Sequence, residues 1–263
     1  MEAAHWRRFE RSLSEMQIEL PDLDGVKAKC RHLAKLHPLK DAMLYLQVTR
    51  GVAAKREHGF PKLCTAQVLA MVNELPSVLP KVKTEGCSVI TQPDQRWKRC
   101  DIKSLNLLGN IMGATKAREL GCYECVFIND LNQATECSRS NIFAVVNGEL
   151  RTMPTSGNIL PGISRFLVLD LARQAGLAVR EQAITREELF AASEVFLTNT
   201  TADLYPIVKI DDLVVGNGKP GPISSLLMQR FEAYVAEELA ENTEAASDYI
   251  PSSQADGPSA VAP

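Results

Sequence analysis

No stretch of this sequence approaches about 18 uninterrupted apolar residues, which removes a transmembrane helix from the readings it supports. The first residues, Met-Glu-Ala-Ala-His-Trp-Arg-Arg, lack the apolar core of a signal peptide. There is no basic excess either. The 29 Lys and Arg set against 32 Asp and Glu leave a net charge of −3, so neither nucleic acid nor an anionic membrane is an expected partner. The seven cysteines are an odd number without the spacing of a disulfide framework, so a cytoplasmic, reducing compartment is expected. Cys122 and Cys125 make a C-x2-C pair inside a strand-like run, where residues three apart face opposite sides. With no second Cys/His pair beside them, no metal is expected. Internal repeats are also lacking.

What is present is a 263-residue chain with 45% hydrophobic and 23% charged residues, the balance of a soluble globular protein of one large or two ordinary domains. Trp6, Phe9, Leu13 and Met16 mark an amphipathic helix, and Leu23, Val26, Cys30 and Leu33 a second one from about Asp22 to Leu36. Leu44, Leu46 and Val48 alternate with polar neighbours as in a half-buried strand. Further strands are expected at 66–72 and 87–91, giving an N-terminal α+β half on a largely antiparallel sheet. Ser104 is a plausible N-cap for a helix over Leu105–Leu120, whose apolar residues recur at helical spacing before the stop at Gly121. Strands at 123–128 and up to Glu136 follow. Asn147-Gly148 predicts a hairpin between 142–146 and 149–152. A helix is expected over 163–175, a strand over 194–198, a second hairpin around Asp211-Asp212, and a last helix from Pro222 to about Leu239. The Ser/Ala/Pro-rich stretch from Asn242 to Pro263 reads as a disordered tail.

The chemistry centres on Arg99-Cys100-Asp101-Ile102-Lys103-Ser104-Leu105-Asn106-Leu107-Leu108. A lone lysine at a strand end is ordinarily a solvated charge. The whole segment, however, resembles the cofactor-lysine motif of the fold-type IV enzymes that use pyridoxal 5'-phosphate (PLP), and is most similar to their D-amino acid transaminase branch. The resemblance runs from His5 to about Leu239. It implies that Lys103 holds the PLP aldehyde as a Schiff base and shuttles the proton. Thr135-Glu136-Cys137-Ser138-Arg139-Ser140-Asn141 resembles the family's T-E-G-S-S-S-N segment, implying that Glu136 pairs with the pyridine nitrogen. Two departures stand in it. Cys137 replaces a glycine and is strained if that position needs a positive φ. Arg139 replaces a small residue and either crowds the pocket or adds a cation beside an anionic ligand. Ile159-Leu160-Pro161-Gly162-Ile163-Ser164-Arg165 is similar to the family's L-P-G-I-T-R helix start. It implies phosphate binding by Ile163 and Ser164, which suits a helix N-terminus, with Leu160 packed on the ring. Thr198-Asn199-Thr200-Thr201 resembles a hydroxyl loop that completes the phosphate cup through Thr200. Arg56-Glu57-His58, after the Val48-Thr49-Arg50-Gly51 strand end, resembles the R-x-H loop that binds the substrate carboxylate through Arg56 and His58, a task that suits the planar guanidinium.

The expected fold class is accordingly α+β, a two-domain fold-type IV PLP enzyme of the D-amino acid aminotransferase kind with its N-terminal part truncated. The divisions are a substrate-loop domain over 1–92, a PLP-binding domain over 93–241 and a tail over 242–263. The family's D-R-G-x-x-x-G-D-G-x-x-E segment, with its strands and a phosphate-binding arginine, has no counterpart ahead of His5. The implied activity is transamination of a D-amino acid of the D-alanine or D-glutamate type with a 2-oxo acid acceptor, in a homodimer. Branched-chain aminotransferase, 4-amino-4-deoxychorismate lyase and an inactive truncated paralogue are the alternatives.

Overall fold

The computed structural model describes residues 1–38, 41–62, 64–75 and 80–247. The N-terminal part contains α1 (Glu2–Glu15), α2 (Leu23–Leu36), β1 (Ala42–Thr49) and β2 (Gln67–Glu74), then α3 (Pro80–Glu85) and β3 (Cys87–Pro93). After α4 (Leu108–Glu119) come β4 (Glu124–Ile128), β5 (Gln133–Cys137), β6 (Asn141–Val146) and β7 (Glu149–Thr152). The rest is α5 (Ile163–Gln174), β8 (Val179–Glu181), β9 (Ile184–Thr185), α6 (Arg186–Ala191), β10 (Glu194–Asn199), β11 (Asp203–Ile210), β12 (Leu213–Val214) and α7 (Pro222–Ser247).

β1 and β2 pair antiparallel as a separate two-stranded sheet. The other strands form one mixed sheet in the order β8-β7-β6-β10-β11-β3-β4-β5-β9, with β12 on β11. Both faces of its centre are covered, so successive residues feed two different cores. On β6, Ile142 and Ala144 join one cluster while Phe143 and Val145 join the other, beneath α5 and α7. On β10, Val195 and Leu197 go to the first and Phe196 to the second. Phe143 and Phe196 are register partners, and their rings stack with centroids 5.0 Å apart.

Several expectations change. β3, placed by the sequence on the sheet of the N-terminal half, runs parallel between β11 and β4 of the large sheet. The helix α4 starts at Leu108, not Leu105, and Ser104 does not cap it; the Ser104 hydroxyl accepts the Asn106 N–H at 3.3 Å. Its buried residues are Gly113 and Ala117. A Cβ on Gly113 would stand 2.8 Å from the Phe127 ring, so the helix lies too close to β4 for a large side chain. The leucine periodicity therefore marks the outward face: Leu108 is 70% and Ile111 58% exposed. Cys122 precedes β4 and Cys125 is buried within it. Unforeseen elements are α3, β8, β9 and α6, the last opened by a capping box of Thr185 and Glu188. The final helix continues to Ser247 instead of ending near Leu239, and residues 248–263 of the expected tail lie outside the described ones. No helix among the described residues is long and apolar enough to cross a membrane.

Candidate active site

One cavity of about 270 Å³ gathers most of the residues that the sequence singles out: Lys103, Glu136, Leu160, Ile163, Ser164 and Thr200 all line it. Arg56 and His58 do not. They are exposed on the loop between β1 and β2 and lie outside its wall.

Lys103 sits in the irregular segment between β3 and α4, and this segment is pinned by α1. The Lys103 N–H donates to the Ser12 hydroxyl at 3.2 Å. Arg11 donates to the carboxylate of Asp101 and, at 3.0 Å, to its carbonyl. Glu15 pairs with Arg99 at 2.5 Å, and Arg8 donates to the Pro161 carbonyl at 3.0 Å. Arg8, Arg11, Ser12 and Glu15 follow the i, i+3, i+4, i+7 pattern of one helix face, so α1 meets the site through a polar stripe. The Lys103 side chain opens onto the cavity and remains exposed. Surrounding protein, then the Arg8 guanidinium, lowers its pKa from the ordinary lysine value, with Glu136 pulling the other way.

Glu136 is delivered by β5 to the cavity floor. One carboxylate oxygen accepts from Arg96; the other accepts from Asn141 Nδ2 and from the Leu160 N–H, each at 3.0 Å. A carboxylate offers about four acceptor sites, so this arrangement leaves one. Burial raises the Glu136 carboxyl to about 7, against the opposing pull of Arg96 and the Leu160 N–H. Arg96, with a side chain 2% exposed, is held in turn by Asp94 at 2.7 and 2.9 Å, Thr135 at 3.1 Å and the Asn158 carbonyl at 3.1 Å. Cys137 ends β5 without a positive φ, so the replaced glycine leaves no backbone strain.

At the far end α5 begins. Its N-cap, Gly162, provides no side-chain cap, so the first N–H groups of the helix are left for a ligand. Arg8 lines the same cavity and donates to the Pro161 carbonyl, so a guanidinium stands beside this helix start. Thr198 Oγ1 is buried without a partner in the cavity wall. A Cβ on Gly162 would lie 2.0 Å from Asn141 Oδ1, so only glycine lets the helix start approach this closely.

The amino-transferase class IV profile matches residues 2–210. The chain belongs to the class IV aminotransferases. It is 38% identical over 239 residues to a D-alanine aminotransferase of Bacillus licheniformis, spanning 90% of this chain and 83% of that one. A D-alanine aminotransferase of Listeria monocytogenes serotype 1/2a (strain 10403S) is 36% identical over 230 residues, 86% of this chain and 79% of that one. The fold is that of a branched-chain amino acid aminotransferase from Thermobaculum terrenum in its PLP form. The two superpose with a TM-score of 0.79 at 24% identity, covering 88% of this chain and 77% of the other.

Class IV aminotransferases use PLP, and the cavity fits it. A lysine, a buried carboxylate with one free acceptor site, an uncapped helix N-terminus and an orphaned buried hydroxyl match its aldehyde, ring nitrogen and phosphate. Sequence reasoning missed Arg8, Arg96 and Thr198. Arg8 lies on the first amphipathic helix, but apolar periodicity gives no reason to select it.

Proposed function

We propose that this class IV aminotransferase moves an amino group from a D-amino acid to a 2-oxo acid. The observation that carries the reading is the convergence of Lys103, Glu136 and the α5 N-terminus on one cavity. The names of the curated relatives support the D-amino acid as donor; likeness to branched-chain enzymes at this identity concerns the fold.

In this reading PLP supplies a carbonyl for the substrate amine and an electron sink for the bond to its α-hydrogen. Lys103 holds the cofactor through Nζ and, as a free amine, takes the α-proton and returns it. The lowered pKa serves both tasks by raising the unprotonated fraction. Glu136 would pair with the ring nitrogen and keep a proton there, with Arg96, Asn141 and Leu160 fixing the carboxylate. Ile163 and Ser164 would donate backbone N–H groups to the phosphate, Thr198 and Thr200 would add hydroxyls, and Arg8 would add charge. Leu160 would pack against the ring.

The functional unit in this reading is a homodimer. Leu105, Leu107, Leu108, Ile111 and Met112 form an exposed apolar group beside the cavity, the kind of surface that marks a contact site. Arg56 and His58, outside the wall of their own cavity, would bind the substrate carboxylate of the second copy.

Purified protein with saturating PLP is expected to form pyruvate from D-alanine and 2-oxoglutarate faster than it transaminates L-leucine. Borohydride reduction should fix PLP on Lys103, detected by peptide mass spectrometry, and Lys103→Ala should abolish both signals. PLP uptake with turnover of L-leucine alone would replace the donor assignment. No uptake would overturn the reading.

A further inference from the structure

We propose that Arg139 recognises the second carboxylate of a dicarboxylic substrate, making this site selective for acidic side chains; the proposal rests on the aminotransferase reading above. Arg139 lies in the β5–β6 turn and lines the cavity. Its Nε donates to Glu124 Oε2 at 3.3 Å, and its Cζ lies 5.1 Å from the Tyr123 ring centroid. These two contacts tether the guanidinium on residues that do not themselves line the cavity.

Glu124 acts as the foot of this arrangement. It is buried, and its oxygens also accept from the Ser138 and Ser140 hydroxyls and the Cys125 N–H. The terminal nitrogens of Arg139 have no partner among the described residues, and the side chain is 61% exposed. An anchored Nε with both terminal nitrogens open is the fork that meets a carboxylate with two parallel bonds.

The charge inventory says which carboxylate. Four cations line the cavity, Arg8, Arg96, Lys103 and Arg139, against the single carboxylate of Glu136. Arg96 is taken by Glu136 and Asp94. Arg8 stands at the α5 N-terminus and Lys103 carries the chemistry. Arg139 is ion-paired to Glu124 through Nε alone, which leaves its terminal nitrogens as unassigned donors beside the cavity. On the substrate-carboxylate role assigned to Arg56 and His58, it meets a second acidic group.

The test compares PLP-loaded wild type with Arg139→Ser, and with Arg139→Gln, which keeps a donor for Glu124 should the serine variant fold poorly. The ratio of kcat/KM for 2-oxoglutarate to that for pyruvate is expected to fall at least about tenfold in both variants, the loss of a charge-assisted pair. Glutarate, titrated calorimetrically, should bind the variants at least about tenfold more weakly. Equal losses for both oxo acids would place Arg139 on the α-carboxylate and overturn the proposal. So would an unchanged ratio and unchanged glutarate affinity, while PLP uptake stays normal. Wild type that takes up no PLP overturns the reading of the site and the substrate assignment together.

Discussion

The Lys103 N–H and the Ser12 hydroxyl are hydrogen-bonded at 3.2 Å across the contact between α1 and the lysine segment. Ser12 is the buried residue of α1, and its neighbours on the same face, Arg8 and Arg11, bind Pro161 and Asp101. The position of the lysine is thus set by a helix far away in sequence. Ser12→Ala leaves the Lys103 N–H without its acceptor and is expected to cost about 1 kcal/mol in urea unfolding. A loss confined to the unfolding midpoint, with the denaturant slope unchanged, identifies the missing bond as the cause.

Arg8 donates to the Pro161 carbonyl and otherwise faces the cavity. Arg8→Ala should weaken PLP binding by about tenfold or more, the value of one charge-assisted bond. Pyridoxal, which has no phosphate, should lose much less. Titration of both compounds into wild type and variant separates a phosphate contact from general damage to the site.

Removing Glu136 strips Arg96 of one of its two carboxylate partners in a buried setting. Glu136→Ala is expected to destabilise the fold by roughly 3–5 kcal/mol, the usual cost of breaking a buried pair from one side. Replacing Arg96 in the same chain with Met should recover part of that loss. A thermal or urea melt of the single and double variants reads the coupling directly.

His5 gives a pH signature. Burial, then Arg8, Lys103 and the terminal amine, lowers its pKa from 6.5 to about 4. Below 6.5 the unfolded chain binds a proton that the folded chain rejects, so stability is full above that value and falls as pH drops towards 4. The urea midpoint should decline over this window, and His5→Gln should decline less.

The site was legible where function writes itself into contiguous residues. Lys103, Glu136 and the 159–165 helix start each carry a local pattern, and the cavity unites all three. Arg8 and Arg96 were not legible, because Pro161 and Glu136, which tie them to the cavity, lie 153 and 40 residues away. On α4 the helical spacing of the apolar residues is legible in the sequence, and their exposure is not. A period of 3.6 identifies a face, but it does not say whether that face meets the core or another molecule.

The sequence by itself determined the family and most of the element types, since propensity, capping and motif chemistry all act within a few residues. Only the tertiary structure decided that β3 belongs to the large sheet, that α1 holds the lysine segment by its polar stripe, and that Arg139 stands anchored with its fork open. Such facts depend on which distant groups meet after packing. Hydrogen bonds and ion pairs act over a few ångströms in space, and no local pattern encodes the partner.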